Sequence, residues 1–325
     1  MNGSAESHIQ KALELIESES FELALSELKQ ALKLEPESAH AWYCLGCVYN
    51  AMDDRKSAAQ AFQQCTKFAP DRPQGWYNLG NCLKEMGAYD VAEKCFEVVV
   101  ELDAEDADAW INLGFVLDEQ GKHQSAISCY DRALPLAPDD VVAWANRGNS
   151  FAALGDGDEA TKCYQKAIEL DPNYELSYLA YGRLLTAQEL FEQAVPVLTE
   201  ATKRMPNEGW AWYFLAYALS KVDKKREAAV VIDKAVQVAE DHPDLWNNIG
   251  EVQFMLENYP EALAAYGQAC DLQPGYYPAR FGMARCFLLD GDKAKAREAC
   301  EFYIAHANED EPVLPAVRRM LELCE

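Results

Sequence analysis

Asn78, Asn112 and Asn146 recur at a constant interval of 34 residues. A side-chain amide carries two N–H donors and a carbonyl acceptor. An evenly spaced row of amides can therefore pair with an extended peptide backbone whatever its sequence. Asn248 resumes the row after Ala180 and Phe214 interrupt it, and Cys44 occupies the place before Asn78. Asn81 and Asn149 stand three residues beyond Asn78 and Asn146, one helical turn away. A second kind of chemistry lies further along, where Trp210, Tyr213, Phe214 and Tyr217 bring four rings into eight residues. Aromatic anchors are what interface hot spots use. Tyr43, Tyr77 and Arg183 complete the candidate partner-binding set. The amide row has a second reading, in which each amide bonds the adjacent turn. The rings likewise either form an apolar partner pocket or tile the space between stacked helices.

Catalytic motifs are missing from the sequence. His8, His40, His123, His242 and His306 are scattered, and no HExxH, P-loop, Gly-x-Ser-x-Gly or strand-linked GxGxxG is present. Gly155 to Glu159 lacks the spacing of a calcium loop. Cys44 and Cys47 form one CxxC, with no second pair and no flanking strand. The eleven cysteines are an odd number and read as reduced, small core residues. Cys95, Cys129 and Cys163 step by 34 residues, which puts each in a different repeat and argues for a packing column. No enzyme activity, cofactor or metal is expected.

The formal charge of −25, from 54 acidic and 29 basic side chains, argues against nucleic acid, which needs a basic stripe. Such a surface steers neutral or basic partners towards it, or is simply a solvated acidic exterior. No apolar run is long enough for a membrane span, and Met1 to Gln10 lacks the pattern of a signal peptide. Cytoplasmic residence is the expectation.

The elements that would position these side chains follow the same interval. Trp42, Trp76, Trp110, Trp144, Tyr178, Trp212 and Trp246 form an aromatic column that Arg280 ends. Four residues on stand Gly46, Gly80, Gly114, Gly148, Gly182, Ala216, Gly250 and Ala284. Twelve further comes an alanine column, Ala58, Ala92, Ala126, Ala160, Ala194, Ala228, Ala262 and Ala296. Prolines recur at one phase: Pro36, Pro70, Pro138, Pro172, Pro206 and Pro274. Between them the apolar residues follow helical spacing in two segments, as in Trp76, Leu79, Gly80 and Leu83, then Ala92, Phe96 and Val99. A strict period of this kind marks a solenoid.

The Trp-x-x-Leu-Gly pattern, the alanine column and the closing Pro resemble the tetratricopeptide repeat, TPR. The resemblance implies an all-α, right-handed superhelical α-solenoid of helix-turn-helix units. The frame divides into nine units, 5–38, 39–72, 73–106, 107–140, 141–174, 175–208, 209–242, 243–276 and 277–310. A disordered N-terminus is expected over 1–4. Residues 311–325 are expected to form an amphipathic helix that caps the last unit, or else docks a partner or a second copy. In this family the first helix of each unit lines a concave, peptide-binding groove. The amide row is similar to the asparagine ladder of the O-linked N-acetylglucosamine transferase TPR region. The family's carboxylate clamp for chaperone C-termini needs Lys one residue after the anchor and Arg two after. No unit has either, so an acidic chaperone tail is not an expected partner. The function implied is a protein-interaction scaffold. Self-association and a role as a regulatory subunit of a separate enzyme are the other classes.

Two internal departures interrupt the frame. Arg147 replaces a leucine, so either its stem packs while its head reaches water, or it pairs with an acid from a neighbouring repeat. The inter-helix turns of units six and seven lack glycine, having Glu189 and Asp223, and Pro196 sits early in a second helix. The stretch 186–226 is therefore expected to exchange its amide hydrogens faster than its flanks. Exchange no faster there than elsewhere would sink that expectation.

Overall fold

The computed structural model describes residues 4–239 and 241–325. Among them are nineteen helices and no strand. They fall into two compact units, Met1–Leu170 and Asp171–Glu325. In the first unit the helix pairs are α1 (Ala5–Glu17) with α2 (Phe21–Leu34), α3 (Ala39–Ala51) with α4 (Arg55–Phe68), and α5 (Pro73–Glu85) with α6 (Tyr89–Leu102). Then come α7 (Ala107–Glu119) with α8 (His123–Leu136) and α9 (Val141–Ala153) with α10 (Gly157–Leu170). The second unit pairs α11 (Glu175–Ala187) with α12 (Phe191–Arg204), and α13 (Gly209–Lys221) with α14 (Lys225–Val238). It continues with α15 (Pro243–Met255) and α16 (Tyr259–Leu272), then α17 (Tyr277–Leu289) and α18 (Lys293–His306), and ends at α19 (Leu314–Leu323).

Local sequence explains the helix starts. Ser38, Asp106 and Asp140 accept the N–H three residues on, which satisfies one orphan donor of the first turn. Arg72 and His242 make no such bond, and there Pro73 and Pro243 occupy the first turn, where no N–H is needed. Ser4 caps α1 through Ser7 at 3.2 Å, and residues 1–3 of the expected disordered N-terminus lie outside the described residues.

Six of the nine pairs close on a glycine that a bulky side chain approaches. A Cβ added at Gly80 would lie 2.9 Å from the ring of Phe96, and one at Gly114 would lie 2.6 Å from Tyr130. Real side-chain carbons do not sit that near, so the first helix must be bare where the second presents its largest group. The alanine column supplies the other near-contact, and Ala58, Ala92, Ala126 and Ala160 are fully buried. The anchor tryptophans lock each pair to the turn before it. Indole Nε1 of Trp42, Trp76 and Trp144 donates to the carbonyl of Pro36, Pro70 and Pro138, at 2.8, 3.0 and 2.9 Å. In the second unit Trp212 donates to Pro206 and the Tyr178 hydroxyl to Pro172. An otherwise orphaned carbonyl is thereby satisfied at each junction.

The turns within pairs share a left-handed residue. Gly87 has φ +72°, and the same region is occupied by Glu189 and Asp223, both at φ 60°. The missing glycines therefore leave the turn backbone unchanged and put strain into it. Helix α12 runs unbroken through Pro196. At the end of the chain, Leu314 and Val317 of α19 are buried against Ala284, Ala299, Cys300 and Tyr303.

Gly80→Ala is expected to cost about 1–3 kcal/mol, the usual penalty for an overpacked core. Glu189→Gly is expected to add about 0.5–1 kcal/mol, because relief of left-handed strain outweighs the extra entropy of the unfolded chain. Urea denaturation of the two variants checks both signs.

Candidate functional site

The asparagine row falls on the first helices, at Asn78 in α5, Asn112 in α7, Asn146 in α9 and Asn248 in α15, all half-buried. Their chemistry differs from place to place. Asn78 Nδ2 donates to the Tyr43 hydroxyl at 3.2 Å and to its own helix at Gln74 O, 3.1 Å. Asn112 Nδ2 does the same with the Tyr77 hydroxyl at 3.2 Å and Asp108 O at 2.8 Å. Lys84 Nζ then takes the Asn112 carbonyl at 2.5 Å. So Asn78 keeps one acceptor, and Asn112 is committed on both sides. The residue that would match Tyr77 before Asn146 is Ile111, which has no hydroxyl. The Asn146 side chain has no hydrogen-bond partner among the described residues.

The Tyr43–Asn78 and Tyr77–Asn112 bridges each join successive helix pairs, a link that the spacing within either column does not display. The signal is a hydroxyl one residue after one anchor and an amide two residues after the next. Lys84 also lies 5.7 Å from the centre of the Phe115 ring, and burial lowers its pKa.

The second helices reach this surface through their tyrosine hydroxyls. Tyr130 donates to Asp118 Oδ2 at 3.0 Å, and Tyr164 to Asn149 Oδ1 at 2.8 Å. Asp118 also accepts from Ser150 Oγ at 2.7 Å and contacts His123 Nδ1 at 3.0 Å, so its charge is enclosed by partners. Asn149 is otherwise exposed, and Asn81 is half-buried beside Tyr77. In the second unit, Tyr266 donates to Glu251 at 2.7 Å, and Arg285 grips both oxygens of the same carboxylate at 2.9 and 2.8 Å. Burial pushes the pKa values of Tyr130 and Tyr266 upward.

Arg147 follows the second of its two expectations. Its Nε donates to Asp131 of α8 at 2.9 Å, and its guanidinium lies 4.8 Å from the Phe151 ring centre. The cysteines are core groups: burial pushes Cys44 up to about 12 and Cys95 to about 11, where no reactive thiolate forms at neutral pH.

On α13 the four rings form a single patch. Trp210 lies 5.9 Å from Tyr213 and 6.0 Å from Phe214, and Tyr213 lies 4.9 Å from Phe214 and 6.1 Å from Tyr217. All four are half-buried, so the patch both packs and shows a face. Trp210, Tyr213 and Tyr217 rest on the buried cluster around Ile232 and Leu245. Arg183 in α11 is exposed and has no ion pair among the described residues.

A stack of helical hairpins with aromatic anchors, glycine–ring contacts and proline-closed turns defines a tetratricopeptide-repeat solenoid, an all-α fold. The chain belongs to the family of the cilia and flagella-associated protein 70 C-terminal domain, whose model matches residues 5–209. Two tetratricopeptide-repeat models match residues 215–277 and 253–319. No curated protein matches. Among solved structures, the APC/C hetero-tetramer Cut9–Hcn1 is similar in fold, with a TM-score of 0.61 at 17% identity over 93% of this chain and 58% of that one. MamA of Desulfovibrio magneticus RS-1 has a TM-score of 0.49 at 23% identity, over 52% of this chain and 96% of its own. YrrB, described as a TPR protein with an unusual peptide-binding site, has 0.47 at 24% identity, over 57% and 96%. These likenesses are of fold.

A Tyr77→Phe/Asn112→Ala double-mutant cycle is expected to give a coupling of about 0.5–1.5 kcal/mol in urea melts, the worth of one hydrogen bond between repeats. Additive single effects would contradict the bridge.

Proposed function

We propose that the chain is a non-catalytic protein-interaction scaffold that binds an extended peptide or a helical segment on the faces of its first helices. The observation that carries this reading is Asn146. Its half-buried amide lies in line with Asn78 and Asn112, yet it has no hydrogen-bond partner among the described residues. Asn78 adds a carbonyl that has no partner among the described residues. A peptide backbone supplies the donors and acceptors that these groups lack. In the second unit, the ring patch of Trp210, Tyr213, Phe214 and Tyr217 offers apolar anchoring, with Arg183 exposed on the preceding first helix.

The partner in this reading is a neutral or basic protein segment. Lys84 and Arg285 are held by Asn112 and Glu251, whereas Asp108 and Glu119 are exposed on α7. The setting is cytoplasmic. No helix among the described residues is long and apolar enough to cross a membrane.

Affinity capture from the native cell's lysate, read by mass spectrometry, tests the proposal. Wild type is compared with Asn146→Ala, with Asn78→Ala/Asn112→Ala/Asn146→Ala and with Tyr213→Ala/Tyr217→Ala. Partners recovered by wild type are expected to fall about tenfold or more with the triple and the tyrosine variants, as hot-spot losses of over 1 kcal/mol imply. An unchanged partner list across all three variants would refute the first-helix reading.

A further inference from the structure

A cleft of about 700 Å3 opens on the second helices of the first unit, between α2 and α4 with α3 beneath. Its floor is apolar, formed by Leu32, Trp42, Leu45, Tyr49 and Ala61. One wall carries Lys29 and Lys33, and the other carries Ser57, Gln60, Gln63 and Gln64. The volume lies within the range of about 300–1,000 Å3 typical of clefts that bury a ligand.

The charge of the α2 wall is opposite to that of the chain, and the α4 wall is uncharged. From Leu28 to Leu34, α2 has two lysines and no acid. Helix α4 has Arg55, Lys56 and Lys67 and likewise no acid. In a protein with 54 acidic and 29 basic side chains, these are basic surfaces. Arg55 is spent on Asp53 and Glu85, but Lys29 and Lys33 make no ion pair among the described residues. Of the nearest acids in sequence, Glu27 is held by His8 and Lys11, and Glu35 and Glu37 lie in the turn beyond α2.

Nothing in the fold requires this arrangement. The corresponding stretch of α6 reads Phe96-Glu97-Val98-Val99-Val100-Glu101-Leu102, with acids where α2 has its lysines. The indole N–H of Trp42 is already bonded to Pro36 O, so its ring offers the cleft a purely apolar face.

We propose that this cleft docks an acidic segment of a partner protein, which inserts one bulky apolar side chain over Trp42 and Tyr49. Lys29 and Lys33 meet its carboxylates at the rim, and the glutamines bond its backbone. The chain thereby has two recognition surfaces of opposite preference, one on first helices for neutral or basic segments and one on second helices for acidic ones. Such a protein can hold two dissimilar partners at once.

The test uses the full chain and two fluorescein-labelled peptides. One is Asp-Glu-Leu-Asp-Glu-Trp-Leu-Asp-Glu-Leu, and the other has lysine at every acidic position. Anisotropy is read at physiological salt for wild type, Lys29→Glu/Lys33→Glu and Asn146→Ala. The acidic peptide is expected to bind wild type and to weaken about tenfold or more on charge reversal, because two rim attractions become repulsions. Asn146→Ala should leave that binding unchanged. Circular dichroism of the lysine variant, whose changes are on exposed side chains, confirms that it is folded. The proposal is overturned by equal affinity of the acidic peptide for wild type and the lysine variant, or by no binding to wild type. It is also overturned if phosphatidylserine vesicles bind wild type while the acidic peptide does not, since the patch would then serve a lipid surface.

Discussion

The structure depends on a steric constraint repeated in six of the nine helix pairs: a bare backbone on the first helix faces a bulky side chain of the second. A Cβ at Gly46 would meet Phe62 at 2.6 Å, and one at Gly250 would meet Tyr266 at the same distance. Even where the ring is replaced, at Leu198, the contact from Gly182 is closer still, at 2.3 Å. Interiors packed this densely cannot absorb an extra carbon, so the crossing of the two helices is set by these glycines. The alanine column and the tryptophan-to-carbonyl bonds then fix how each pair sits on the turn before it.

That constraint also decides what reaches the first-helix surface. Because Tyr130, Tyr164 and Tyr266 each pack against a glycine of the first helix, their hydroxyls reach Asp118, Asn149 and Glu251 and bond them. The polar groups of that surface are thus divided between those the fold consumes and those it leaves over. Asn112 is consumed and Asn146 is left over, although the two occupy equivalent places in the repeat. A mutational effect at Asn112 would therefore mix stability with recognition, whereas one at Asn146 reports mainly recognition.

Much of this was legible in the sequence because a strict period displays contacts as columns. The helix pairs and the glycine and alanine columns followed from spacing, and the cost of a buried charge narrowed Arg147 to two arrangements, of which the acid partner is the one formed. The Tyr–Asn bridges did not, since each joins residues 35 apart whose meeting depends on how neighbouring pairs stack. The left-handed turns at Glu189 and Asp223 were hidden because those residue types do not announce a positive φ as glycine does. The cleft above Trp42 was hidden by arithmetic. A total of −25 conceals a local surface without acids.

The most direct measurement is site-specific photo-crosslinking in the native lysate. Benzoylphenylalanine is placed at Asn146 on a first helix and, separately, at exposed Glu169 on the second helix of the same pair. The account predicts covalent capture of a partner from position 146 and none from position 169. Capture from 169 alone would contradict it, because recognition would then lie on a surface that the glycine–ring packing does not shape.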